Sequence, residues 1–205
     1  DALNIDKPIV LSRVDGHAVW VNTVALEKAG ITATTPSPSG GEIVKDAAGN
    51  PTGLLIDNAS YLVEKLIPKP DAAQLAEQLQ AANEHLLSLG ITSMHDAGIG
   101  QHVAEFYQAQ AAANKLHVRI YAMLAATDKN LSAMLSQGHI ADANAMLSIR
   151  SVKAYGDGAL GSRGAALLEP YSDDPDNHGL LVTPQEQLPS LFREVLGANF
   201  QLNFH

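Results

Sequence analysis

From Asp71 to the last residue the chain alternates capped helices with short apolar strands, and no other feature restricts its fold as much. Asp71 is placed to cap a helix whose apolar face is Leu75, Leu79, Ala82, Leu86 and Leu89, at helical spacing. Gly90 ends it. Residues 91–95 then read as a strand, 103–113 as an Ala-rich helix, 116–124 as a β-branched and aromatic strand, and 130–137 as a helix stopped by Gly138. Residues 147–155 form the next strand. Thr183-Pro184-Gln185-Glu186 reads as a capping box with proline at the first helical position, opening a helix to about Leu196, and 200–205 is the last strand. Strands separated by helices in this way predict right-handed βαβ units and a parallel sheet.

Such a sheet is either open and doubly wound or an arc of a (β/α)8 barrel. Polar residues gather at the strand ends, at His95-Asp96, Lys153 to Asp157 and His205, where barrel enzymes carry their chemistry. Gly156-Asp157-Gly158-Ala159-Leu160-Gly161 has the glycine spacing of a dinucleotide loop, but lacks the acidic partner on a following strand and runs into an irregular stretch. The expected fold class is therefore α/β, a partial TIM-type barrel over 71–205 behind an α+β subdomain over 1–70. In that subdomain 9–11 reads as a strand, 19–29 as a helix ended by Gly30, and 34–41 as a loop. Residues 42–45 and 52–56 flank a turn and read as a β-hairpin, and 58–66 as a short helix.

Composition narrows the function. A formal charge of −9 with no basic cluster argues against nucleic acid and anionic membranes as partners. The chain has no cysteine, which excludes disulfides, thiolate catalysis and cysteine-type zinc sites. No apolar run reaches the roughly eighteen residues of a membrane span. Compartment is not readable from these features. The opening residues, from Asp1 to Pro8, resemble the interior of a longer protein, so an internal fragment is expected.

Lys153 carries the sharpest chemical signal. A lysine inside a parallel strand is costly unless it is paired, neutralised or modified. The plain alternative is a lysine that reaches the surface or pairs with Asp157 or Glu169. Two functional readings compete with that: a Schiff-base amine, or a neutral amine that takes up carbon dioxide to become a metal-binding carbamate. His205 ends the following strand, and neighbouring barrel strands point their ends at a common centre. Asp96 is placed to orient His95 or to cap a helix. His17 follows a tight turn at Gly16, with His17 and Trp20 expected on one face of the helix after it; His17 is either a packed loop histidine or part of a loop over a substrate pocket. The other histidines have no partner at ligand spacing, and Ser162 lacks a nucleophile-elbow context.

Val152-Lys153-Ala154-Tyr155-Gly156-Asp157-Gly158-Ala159-Leu160-Gly161-Ser162-Arg163-Gly164, followed by Glu169-Pro170-Tyr171, resembles the amidohydrolase superfamily, specifically its YtcJ-like (amidohydrolase family 3) metal-dependent hydrolases. Asp15-Gly16-His17-Ala18-Val19-Trp20-Val21-Asn22, Gly53-Leu54-Leu55 and Gly90-Ile91-Thr92-Ser93-Met94-His95-Asp96 agree in the same order. The resemblance implies that 71–205 supplies about strands two to five of a metal-bearing barrel and 1–70 an insertion after the first strand. It implies a carboxylated Lys153 and His205 as metal ligands, Asp157 and Arg163 as catalytic residues, and His17, Trp20 and His95 as substrate-binding residues. The implied cofactor is a divalent metal, zinc, and the implied reaction is hydrolysis of an amide or other C–N bond in a small molecule by metal-activated water. The family's HxH pair and its late His and Asp are not in this sequence, so the fragment alone is expected to bind metal poorly and to be inactive. Open sheet edges would favour a homo-oligomer. Two other readings stand beside this one: a non-catalytic or regulatory relative of the same fold, and a lysine Schiff-base aldolase.

Overall fold

The computed structural model describes Asp1 and residues 5–205. The fold is mixed α/β, and the chain divides into two compact units. Among the described residues no helix is long and apolar enough to cross a membrane.

The first unit comprises Asp1–Pro68 and Tyr155–Gln185. Its elements are β1 (Val10–Ser12), β2 (Ala18–Val21), α1 (Thr23–Ala29), β3 (Gly41–Lys45), β4 (Pro51–Asp57) and α2 (Tyr61–Glu64). The four strands form an antiparallel sheet in the order β1-β2-β4-β3. The expected hairpin is present as β3 and β4, closed by Asp46, whose carboxylate accepts from the N–H groups of Ala48 and Asn50.

The helix expected over 19–29 starts only at Thr23. Val19, Trp20 and Val21 are residues that favour a pleated surface; all three pair with β1, and Val19 and Trp20 also pair with β4. Asn22 then caps α1 by accepting from Ala25 N–H, and Gly30 ends it in the left-handed conformation at φ 68°. The buried face of the sheet packs Val19, Val21, Ile43 and Leu55 against Ala25, Leu26 and Val63. Within residues 155–185 backbone bonds such as Leu180 N–H to Gly164 C=O fold the segment on itself, and the Asn58 side chain ties it to the sheet by donating to Val182 C=O.

The second unit comprises Lys69–Ala154 and Glu186–His205. It contains α3 (Ala72–Ser88), β5 (Ser93–Ile99), α4 (Gln101–Ala112), β6 (Arg119–Ala125), α5 (Leu131–Ser136), β7 (Ile140–Ala141), β8 (Leu147–Ala154), α6 (Leu188–Gly197) and β9 (Gln201–Phe204). Strands β5, β6, β8 and β9 are parallel and adjacent in that order, while the short β7 adds antiparallel to the start of β8. One face of the sheet packs Ile120, Leu124, Leu147, Ile149 and Val152 against Leu131, Met134, Leu135 and Val195 of the helices.

One expectation holds in part and one fails here. Helix α3 has its capping box at Asp71 and Gln74, and of its apolar stripe Leu75 is buried and Leu79 packs against the core, but Ala82 and Leu89 are exposed. The predicted capping box at Thr183 does not form. A 3-10 turn over Gln185–Gln187 precedes α6, Pro189 lies in the helix's first turn, and the Thr183 hydroxyl donates to Tyr155 C=O instead.

Candidate functional site

In the parallel sheet, alternation divides polar from apolar. The register pairs His95 with Tyr121, Met123 with Ser151, Ser151 with Gln201, and Lys153 with both Ala125 and Asn203. These residues share the face opposite the helix-packed core. His95 is exposed and its ring lies 4.9 Å from that of Tyr121, whose hydroxyl donates to Gln201 at 3.0 Å. Lys153 is half-buried, its Nζ donates to Ala154 C=O at 3.3 Å, and partial burial holds its pKa below the usual lysine range. Next to it Gly98 has φ 113°, and its Cβ position would lie 3.9 Å from Lys153 Cγ. Ser151 Oγ and Asn203 Nδ2 are buried with no hydrogen-bond partner among the described residues. His205 is exposed, and its N–H donates to Ala154 C=O at 3.0 Å. Continuing the alternation from Asn203 puts His205 on the Lys153 face. Lys153 and His205 thus end neighbouring strands and suit two places in a ligand set. Among the described residues no group of three His, Asp or Glu side chains is arranged to hold a metal.

Asp96 neither orients His95 nor caps a helix. Successive strand residues face opposite ways, so Asp96 turns toward α4 and accepts from the Tyr107 hydroxyl at 2.7 Å. Burial, reinforced by that bond, raises the Tyr107 pKa. The N-cap of α4 is Gly100.

The first unit holds a second polar centre. His17 is buried, at 8% exposure, and its Nδ1 donates to Asp57 Oδ1 at 2.6 Å. The Asp57 side chain is 2% exposed, and its Oδ2 is buried with no hydrogen-bond partner among the described residues. Backbone bonds align the pair: Asp57 N–H donates to His17 C=O at 3.0 Å, and His17 N–H to Asp15 Oδ1 at 3.1 Å. The His17 ring meets that of Tyr155 edge-on at 6.0 Å. Asp57 was missed in the sequence because it lies 40 residues from His17. The available signal was a carboxylate closing the apolar run Gly53-Leu54-Leu55-Ile56.

Other expected site residues lie apart from that pair. Trp20 sits on a strand, not a helix, and is 63% exposed while Val19 and Val21 are buried, so it does not share a face with His17. It lines an open groove of about 650 Å³ with Leu11, Leu54, Arg13 and Arg163. Arg163 is exposed and makes a two-pronged bond to Asp173. Asp157 Oδ2 accepts from Ala166 N–H at 2.9 Å.

These features define an α/β protein with a strand-end lysine and histidine, and sequence and structure comparisons place it. The signature of the amidohydrolase family matches residues 1–205, and the chain belongs to that family. It is 35% identical to the amidohydrolase YtcJ of Bacillus subtilis, over all of this chain and 39% of that one. It is 30% identical to the protein LONG AFTER FAR-RED 3 of Arabidopsis thaliana, over all of this chain and 37% of the other. A crystal structure of a metal-dependent hydrolase from Pyrococcus horikoshii superposes with a TM-score of 0.71 at 26% identity, covering 98% of this chain and 39% of that one. The chain thus spans about two-fifths of the length of the curated relatives it matches.

Proposed function

We propose that this chain is part of a metal-dependent hydrolase that cleaves amide or related C–N bonds, with its parallel sheet an arc of a (β/α)8 barrel. The observation that carries the reading is the placement of Lys153, at the C-terminal end of β8, on the polar face, with burial favouring its neutral amine. A neutral amine can add to carbon dioxide, forming an N–C bond and releasing a proton, and the resulting carbamate offers oxygen ligands. His205 at the end of the adjacent strand supplies an imidazole. The order β5-β6-β8-β9 follows the chain with a helix in each crossover, as a barrel arc requires.

A divalent ion held there, zinc in this reading, would supply Lewis acidity and a more acidic bound water. The chain's own side chains orient and enclose. Tyr121 and Gln201 brace one another beside His95. Asp157 and the Arg163–Asp173 pair hold the loop that follows Lys153.

Metal quantification and hydrolysis of N-acyl substrates by the full-length protein test this reading. Bound divalent metal and metal-dependent amide cleavage are expected. A full-length protein that is metal-free and inactive after metal and bicarbonate loading refutes it.

A further inference from the structure

The outer face of the antiparallel sheet carries apolar side chains that its core does not use. Leu11, Trp20 and Leu54 lie opposite one another in register on β1, β2 and β4, so they form a ladder across three neighbouring strands. They alternate with Val19, Val21 and Leu55 of the buried face, and all three are exposed. The ladder is the floor of the groove of about 650 Å³, and Ser162, Arg163, Asp174 and Asn177 of the 155–185 segment also line it. A further depression of about 530 Å³ shares Glu42, Ile56, Arg163 and Asp174 with that groove and runs on to Asp176 and His178. Together they make one trough within the first unit.

Charge decides what such a trough can hold. Both of its arginines are already matched: Arg13 donates through two nitrogens to Asp15, and Arg163 through two nitrogens to Asp173. Glu42, Asp174 and Asp176 have no ion-pair partner among the described residues. One end of the trough therefore keeps an excess of negative charge, and a cleft with apolar walls focuses that field. Glu42 pairs with Ile56, two residues along β4 from Leu54, so its side chain leaves the sheet on the ladder's own face. Diagonal neighbours of this kind sit about 7–8 Å apart, within the length of a short organic cation.

We propose that this trough binds an organic cation: an apolar group lies on the Leu11–Trp20–Leu54 ladder, and the ammonium group at its end faces Glu42 and Asp174. Trp20 adds to the preference, because the face of an indole ring attracts a cation. An anion is disfavoured, since it would have to displace Asp15 or Asp173 from its arginine. Every residue of this site belongs to the first unit, and its ligand is set by charge and shape whether or not the protein is a hydrolase.

The probe is trimethyl(2-phenylethyl)ammonium, which is charged at every pH and has no lone pair to offer a metal. Isothermal titration of the full-length protein is expected to give saturable binding at millimolar probe or below, weakened by salt. Neutral 2-phenylethanol and anionic 3-phenylpropanoate should bind at least about tenfold more weakly. The double variant Glu42→Gln, Asp174→Asn should weaken the probe by about fivefold or more, and Trp20→Ala by about tenfold or more, with Tm unchanged in both. Equal affinity for the three compounds would reveal a merely apolar surface and overturn the proposal. A preference for the anion would assign recognition to the arginines and overturn it too. So would the absence of saturable binding, or binding that neither variant changes. A full-length dimer that Trp20→Ala dissociates, with no probe bound to wild type, would give the trough to a second copy instead. Should a variant fail to fold, photolabelling of wild type with a diazirine analogue of the probe decides: label on peptides of β1, β2 or β4 supports the site, and label only elsewhere overturns it.

Discussion

The two units arrange their polar side chains differently. In the first, charged groups form discrete pairs: His17 with Asp57 in the interior, and Arg13 with Asp15 and Arg163 with Asp173 at the surface, while Asp57 Oδ2 stays without a hydrogen-bond partner among the described residues. In the second, His95, Tyr121, Ser151, Lys153, Gln201 and Asn203 gather on one face of a parallel sheet, and two of its atoms, Ser151 Oγ and Asn203 Nδ2, are buried without a hydrogen-bond partner among the described residues. The first arrangement defines a geometry. The second presents a row of groups that gain their role from what they meet.

The largest expected effect tests the second unit. Lys153→Ala in the full-length protein removes a proposed metal ligand, so the loss should exceed the roughly 10–100-fold typical of outer-shell partners, with metal content falling in parallel. Metal analysis alongside kcat/KM checks this. Full activity with full metal content would make Lys153 a bystander and leave the polar face unexplained.

Next in size is a break in the first unit. Gly179 has φ 78°, and a Cβ there would lie 1.9 Å from Ala165 C=O. Backbone cannot yield as a flexible side chain does. Gly179→Ala should cost on the order of 2–4 kcal/mol in urea denaturation, with hydrogen-exchange protection lost first around 155–185. Early loss of protection in β6 and β8 instead would show that the strain spreads into the parallel sheet.

Local patterns in the sequence were good guides wherever the structure is local. The strand bearing Lys153, the hairpin of β3 and β4, the cap at Asp71 and the stop at Gly30 all follow from neighbours within a few residues. Errors arose where distant partners decide. Val19 to Val21 fit either a helix or a strand until β1 and β4 flank them. Thr183 is a good N-cap by type, but Tyr155 C=O claims its hydroxyl from 28 residues away. The Asp57–His17 pair depends on the register of β2 and β4, which no spacing rule states. The strand-end placement of Lys153 was therefore legible, while the residue that orients His17 was not.

A smaller effect probes the first unit's electrostatics. The Arg13 hydrogen bonds, helped by His17 N–H, hold the Asp15 pKa at about 2, below its ordinary 3.8. A depressed carboxylate pKa contributes stability above the unfolded value, which is lost as pH falls from 3.8 toward about 2. Both side chains are over a third exposed, so solvent screens the pair. Asp15→Asn should cost less than about 1 kcal/mol at neutral pH, and the difference from wild type should shrink with salt and across that acid window. A penalty independent of pH would assign the effect to the bond with His17 N–H rather than to charge.

The smallest expected effect reverses sign. Ser151 is fully buried, on the Lys153 face, one residue before Val152 of the opposite core face. Its hydroxyl bears a desolvation cost that no hydrogen bond among the described residues offsets. Ser151→Ala removes the polar atom and little volume, so stability in urea should be unchanged or higher by up to about 1 kcal/mol. The same change at a satisfied hydroxyl would destabilise. Loss of stability in the full-length protein would therefore place a partner for Ser151 outside the described residues, on the side where a completed barrel would enclose this face. The sign of one small substitution thus separates a sheet that is merely half-covered from one whose polar face is built to meet further polar groups.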